Sequence, residues 1–308
     1  MAELAVTNTM TQTQTESYRI RVILAFFAIY VLWGTTFLAI RIAVEEMPPF
    51  FAAGARFFIA GVVLFGFMVL KGEAKPTVAQ WRNLALMGLL MFVAEYGPLF
   101  WAEKYVPSGI VSVLAATLPI LTMVLEKIVF RQQRIRPMMI AATLAGFAGV
   151  AVLLRPDARQ HFGLIPCLAV LGGATSWSLG SVLSRSMDLP KARPLTAGAA
   201  MLLGGGGLLI LSWAFGEIHP LPHISLRGGM ALLYLIVVGS LVGFTAFVWL
   251  LAHMPASRVA SHAYVNPIVA VALGYVAAGE AITLPTIAGT LLVLMSVFLI
   301  LRRDREAA

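Results

Sequence analysis

Two ionisable residues stand where an apolar chain ordinarily excludes them. Arg56 lies about two turns inside one long apolar run and Glu95 about two turns inside the next. A charge in hydrocarbon is costly, so it is paired or it serves a function. Arg56 is near the start of its run and Glu95 near the end of the next, so in antiparallel spans the two lie at similar depth, which predicts an intramembrane charge pair. Such a pair either neutralises itself as a structural tie or opens to grip an amino and a carboxylate group. His262 and Asn266 form a second polar group, four residues apart and so on one helix face, with Ser257, Ser261 and Tyr264 on the other side. A span that is polar on two sides belongs away from lipid, at the centre. His262 could carry a proton, since its free pKa is about 6.5, or it could be a neutral, hydrogen-bonded core residue; the sequence leaves both open. Glu126 is expected to reach the interface, and Glu280, at the end of its run, is expected to be solvated.

Aromatic side chains gather at the same depth. Tyr30, Trp33 and Phe37 follow helical spacing; Phe92, Tyr96, Phe100 and Trp101 lie on a second run and Trp177 on a third. Such stripes are usually packing or an interfacial belt. Trp33 and Trp177 sit about halfway along their runs and do not suit a belt. They are candidates to line an apolar cavity.

The rest of the chain must hold these residues in lipid. Of 308 residues, 60% are hydrophobic and 12% charged, with a mean hydropathy of +0.89. Soluble domains carry about 25% charge, so this is an all-α integral membrane protein. The net charge of +8 comes from short basic clusters between apolar runs and does not point to nucleic acid. The single cysteine, Cys167, gives neither a disulfide nor a metal cluster. No metal, cofactor or enzyme motif is legible: there is no HExxH, no phosphate-binding Gly loop ending in Lys-Ser or Lys-Thr, and no Gly-x-Ser-x-Gly. The expected partners are the lipid bilayer and a small-molecule substrate. The segment before Tyr18 is polar and reads as a disordered tail rather than a signal peptide.

A duplication organises the chain. Pro107, Pro119, Trp101 and Pro137 recur 148 residues later as Pro255, Pro267, Trp249 and Pro285. Trp33, Arg41 and Gly54 recur 144 residues later as Trp177, Arg185 and Gly198. Repeats with this self-similarity determine the architecture. Ten spans of roughly 20 apolar residues are expected at 21–43, 49–70, 81–102, 108–130, 137–154, 163–184, 195–215, 228–252, 257–279 and 285–302. Residues 1–20 and 303–308 are tails, 21–155 the first repeat and 156–302 the second. Sixteen Lys and Arg residues fall on the side of the termini and five on the other, with Arg56 between. Positive charge stays inside, which places both termini in the cytoplasm. Five spans per repeat is an odd number, so the second repeat enters from the opposite face and the topology is inverted. Inverted pairs can exchange two packings, one open to each side. Pro119 and Pro267 fall inside apolar runs, where each is expected to kink its helix and free a carbonyl. Glycines 204–207 and Gly172, Gly173 and Gly180 are expected at close helix contacts.

Trp33-Gly34-Thr35-Thr36-Phe37, Arg56-Phe57, Pro119, Asn266-Pro267 and Gly279-Glu280, in this order, resemble the EamA-type drug/metabolite transporter family over about residues 21–302. In the first repeat the place of Gly279-Glu280 is taken by Arg131-Gln132. The resemblance implies a ten-helix inverted-repeat fold, with a cavity between spans 1, 3, 4, 6, 8 and 9 and spans 5 and 10 further out. It also implies export of amino acids and related metabolites across a bacterial inner membrane, with a weaker likeness to the aromatic amino-acid exporters. Trp33, Thr36, Tyr96, Trp101, Trp177, Ser178, His262, Tyr264 and Asn266 are then the candidate cavity residues. The expected function is export of small amphipathic solutes, neutral or aromatic amino acids first. The alternatives are efflux of a drug or of a nucleoside- or sugar-type metabolite, and, from another class, a membrane sensor or assembly subunit.

Overall fold

The computed structural model describes residues 16, 18–130, 141, 144–146, 148, 149, 151, 152, 163–218, 224–254 and 256–304. The elements among them are helical, without strands. Seven helices are long and apolar enough to cross a membrane: α1 (Tyr18–Glu46), α2 (Pro49–Leu70), α3 (Val78–Ala102), α4 (Ser108–Phe130), α5 (Leu164–Ser184), α6 (Arg193–Ala214) and α7 (Leu226–His253). Two more follow, α8 (His262–Ala278) and α9 (Leu284–Asp304), with shorter described apolar stretches. The span expected at 137–154 lies largely outside the described residues, as do Arg131 and Gln132.

The helix ends follow from local chemistry. Pro49 starts α2 and Pro194 lies in the first turn of α6, where a missing N–H costs nothing. Both helices stop at a glycine in the left-handed region, Gly72 at φ +86 and Gly216 at φ +74. Thr77 caps α3 by accepting from Gln80 N–H, whose side chain returns the bond to Thr77 N–H. Ser225 caps α7 by accepting from Gly228 N–H. Each pair of caps lies at the spacing expected from the sequence: α2 and α6 start and end 144 residues apart, and the caps of α3 and α7 are 148 apart.

The closest helix contact is between α2 and α6, and glycines make it possible. Gly54 lies against Leu209 and Gly61 against the backbone of Leu202. In return Gly198 lies against Phe65 and Gly205 against the backbone of Phe58. Small residues let backbones approach where lipid gives no hydrophobic drive for association. The expectation for the other glycines holds in part. Gly204 packs on Phe92, Gly173 on Glu95 and Gly180 on Met91, whereas Gly172 faces open space.

Three membrane helices widen into π-helix near mid-span: Ala28–Leu32 in α1, Leu89–Val93 in α3 and Leu235–Val242 in α7. The wider turn exposes carbonyls to partners from other helices, and such bulges are frequent at functional sites. Helix α4 breaks at Ala116–Thr117, just ahead of Pro119, as expected of a proline. Pro267 behaves differently. It sits inside the continuous α8, and the break comes earlier, at Ala260–Ser261, after a short turn of helix at Ala256–Val259.

Candidate functional site

The mid-membrane aromatic residues form one packed cluster. Trp33 meets Trp177 edge-on at 5.9 Å between ring centroids, Phe247 at 5.2 Å and His262 at 5.1 Å. Trp177 continues to Tyr96 at 5.8 Å and Phe244 at 5.9 Å, and Phe57 closes the far side on Tyr96 at 4.5 Å and Phe92 at 4.7 Å. The cluster thus draws on α1, α2, α3, α5, α7 and α8. Edge-to-face pairs suit the ring quadrupoles and contribute about 0.5–1.5 kcal/mol each beyond burial.

The π segments fix this cluster with hydrogen bonds. Trp33 Nε1–H donates to Gly239 O (2.9 Å), a carbonyl of the α7 π segment. Ser176 Oγ donates to Leu90 O (2.9 Å) in the α3 segment. The Asn266 amide, oriented by its hydrogen-bond network, accepts from His262 Nδ1 (3.1 Å) and donates to Tyr30 O (2.7 Å) and Ile29 O (3.0 Å) in the α1 segment. His262 is buried, with its Nδ1 proton engaged on its own helix and its ring perpendicular to that of Trp33. Tyr30 OH pairs with Ser261 Oγ (2.6 Å) at the break before α8, and Thr36 Oγ1 bonds Trp33 O (2.6 Å).

Arg56 and Glu95 do not form the expected ion pair. Arg56, 1% exposed, turns toward α7: Nε donates to Ser240 Oγ (2.9 Å), and the guanidinium lies 4.5 Å from the Phe57 ring centre and 5.2 Å from that of Tyr96. Glu95, 4% exposed, turns toward α5 and lies against Gly173. The reason is helical geometry: Tyr96, the neighbour of Glu95, takes the face toward Arg56, and consecutive residues point about 100° apart. Arg56 Nη1 and Glu95 Oε2 are both buried without a hydrogen-bond partner. A buried polar group left unmatched costs about 1–3 kcal/mol.

Other candidates are placed apart from the cluster. Trp101 packs on Tyr105 near the end of α3, not among the central rings. Ser178 ties α5 to α4, accepting from Thr122 Oγ1 (3.1 Å) beside Pro119 and donating to Leu118 O (3.3 Å). The Tyr264 side chain lies outside the described residues. Sequence reasoning missed Phe244, Phe247, Gly239 and Ser240, which carry no mark distinguishing them from other residues of their run, and it named Phe57 only as part of the Arg56-Phe57 motif.

Glu280 is not simply solvated. It accepts from Ser108 N–H (2.8 Å), Ser108 Oγ (2.7 Å) and Gly109 N–H (3.1 Å), capping α4. Two more carboxylates at this end do the same for other helices. Glu217 accepts from Phe51 N–H (2.9 Å) at the start of α2, and Glu46 accepts from Ser225 N–H (3.2 Å) and its hydroxyl at the start of α7. Carboxylates favour helix N-termini, where unpaired N–H groups and the dipole converge. At the opposite end Glu126 pairs with Arg185 (2.9 Å), and Gln80 and Asn83 donate to Asp188.

A bundle of apolar spanning helices with buried polar groups around an aromatic centre is the architecture of a multi-pass membrane protein. The comparisons agree. The EamA-like transporter family model matches residues 20–155 and again 164–302, and the chain belongs to that family. It is 36% identical over 263 residues to an uncharacterized inner membrane transporter, YedA, of Escherichia coli K12, covering 84% of this chain and 83% of that one. It is 26% identical over 282 residues to a probable amino-acid metabolite efflux pump of Salmonella typhimurium, covering 88% of this chain and 91% of the relative. A solved crystal structure covers 94% of this chain and 99% of its own with a TM-score of 0.68 at 21% identity, which shows the fold alone.

Proposed function

We propose that this transporter sits in a bacterial inner membrane with both termini cytoplasmic and exports small amphipathic metabolites, neutral or aromatic amino acids first. It works by rocking two inverted repeats, residues 21–155 and 156–302, about the central aromatic cluster. The relatives named as an inner membrane transporter and as an amino-acid metabolite efflux pump support the location and the class. The twofold family match and the reciprocal glycine contacts support the inverted pair: Gly54–Leu209 maps onto Gly198–Phe65, and Gly61–Leu202 onto Gly205–Phe58, when one partner is shifted by 144 and the other by −144.

One observation carries the substrate reading. A guanidinium nitrogen of Arg56 and a carboxylate oxygen of Glu95, both buried and unmatched, flank Tyr96 at the edge of the ring cluster. An amino acid brings the complement: a carboxylate for Arg56, an ammonium for Glu95 and an apolar side chain for Trp33, Trp177, Phe244 and Phe247. Charge-assisted hydrogen bonds of this kind are about twice as strong as neutral ones. Thr36, His262 and Asn266 hold the rings in place, and the breaks at Ala116–Thr117 in α4 and at Ala260–Ser261 ahead of α8 give these helices freedom to move. The test is flux of labelled phenylalanine and other amino acids into proteoliposomes of the purified protein, with and without a pH gradient. Saturable flux that falls about tenfold to a hundredfold in Arg56→Gln is expected, the loss of about 1.5–3 kcal/mol of charged hydrogen bonding. Absence of flux for every amino acid would sink the substrate reading and turn the search to nucleoside- or sugar-type metabolites.

A further inference from the structure

One buried acid has no part in the central site. Glu103 follows the last residue of α3, at the end where Glu46, Glu217 and Glu280 cap neighbouring helices. Its side chain is 0% exposed, and neither carboxylate oxygen has a hydrogen-bond partner. An ionised carboxylate is not sustained in that condition; it takes up a proton instead. Its surroundings push the same way. Burial raises its pKa well above the ordinary carboxylate range, and the charge of Glu280 raises it further. Arg41 opposes this, but its guanidinium is divided between the Glu103 backbone carbonyl and the Glu45 carboxylate at 3.3 Å. Glu280 in turn is held as an acceptor by the Ser108 and Gly109 donors, and with Pro107, Ile110, Val271 and Thr286 it lines a shallow cleft with room for little more than a water molecule. Glu280 is partly exposed on this cleft, and Glu103 is sealed from water.

We propose that Glu103 is a proton-binding site at this end of the membrane, and that it keeps its proton only while Glu280 holds α4 and α8 together there. Opening this end exposes Glu103 to water, where it ionises. The sign follows: the closed arrangement binds one more proton than the open one, so acid favours closure and rising pH favours opening. Closure and proton binding are thus linked, which gives a transporter a means of coupling its conformational cycle to a proton gradient. The charged groups acting on Glu103 among the described residues are Glu280 and Arg41. This proton site does not depend on which solute is carried, and its test needs none.

The test is a pH titration of the purified full-length protein in lipid vesicles, read by infrared difference spectroscopy at the carbonyl stretch of protonated carboxylic acids. A band that persists above the ordinary carboxylate range, and that is lost in Glu103→Gln, is the expected result. In Glu280→Gln the same band should titrate at lower pH, because the repelling charge is gone. An unchanged band in Glu103→Gln overturns the assignment. Should that variant fail to fold, an unmoved midpoint in Glu280→Gln overturns it alone. Gating has its own readout in Cys167, buried in the first turn of α5. The ratio of maleimide labelling in the wild type to that in Glu103→Gln should rise with pH, the thiolate trend cancelling between the two. A constant ratio overturns the link to opening.

Discussion

The seam between α2 and α6 and the aromatic centre beside it are built on opposite plans. Along the seam each feature has a counterpart 144 residues on: the helix bounds, Gly54 with Gly198, Gly61 with Gly205, and the terminal glycines Gly72 and Gly216. At the centre the match fails. The position 144 residues after Arg56 is Ala200, and the position 148 after Glu95 is Gly243, whose missing Cβ leaves room for the Trp33 indole. Even the paired tryptophans differ: Trp33 donates to Gly239 O, and Trp177 makes no such bond among the described residues. The symmetry is kept where two helices pack backbone to backbone, and it is lost where the buried polar and aromatic groups gather.

The largest effect is expected at the seam. A Cβ on Gly61 or on Gly205 would overlap the backbone of the facing helix, at Leu202 or Phe58. No flexible side chain is there to yield. Gly61→Val and Gly205→Val should each destabilise the protein by about 3 kcal/mol, the upper part of the range for overpacking. Unfolding in mixed micelles, followed by loss of helical signal, measures this. The two losses should be comparable. If one variant is tolerated and the other is not, the contact is not symmetric in energy.

At the centre the corresponding pair should give unequal losses. Trp33→Phe keeps a ring but deletes the donor to Gly239, leaving a mid-membrane carbonyl unmatched. Trp177→Phe removes only ring area. The first should cost about 1 kcal/mol more than the second, the net value of one hydrogen bond. Equal losses, measured in the same micelles, would mean that water or lipid headgroup replaces the indole.

Much of this arrangement is legible in the sequence, and what is not has a physical reason. Trp33, Trp177, His262 and Asn266 are legible because mid-span polarity and aromaticity are rare in lipid, and the repeat singles them out. The π segments are not: Ala28–Leu32 is an apolar run that contains neither proline nor glycine, and an apolar run reads the same in α and π form. Arg56 and Glu95 are legible as buried charges but not as unpaired ones, since pairing depends on which way each side chain turns, and Tyr96 decides that. Glu103 reads as a loop residue beside Lys104. The carboxylate whose charge acts on it, Glu280, lies 177 positions further along the chain, and no local pattern carries that information.

The smallest effect should appear at the ends of the seam, where its symmetry stops. Glu217 follows the terminal glycine of α6, and Glu73, 144 residues earlier, follows that of α2. Glu217 reaches across to the first turn of α2 and accepts from Phe51 N–H, whereas Glu73 is exposed and makes no matching side-chain bond to α6. Glu217→Gln keeps an acceptor but loses the charge at a helix N-terminus, for which about 0.5 kcal/mol is expected. Glu73→Gln should leave stability unchanged. Thermal unfolding of the two variants in low and high salt measures the difference, which should shrink with salt because Glu217 is partly exposed. A difference that survives high salt would assign it to hydrogen-bond geometry instead of charge. The seam would then be held at one end by a directional latch, of the kind that must break before that end can open.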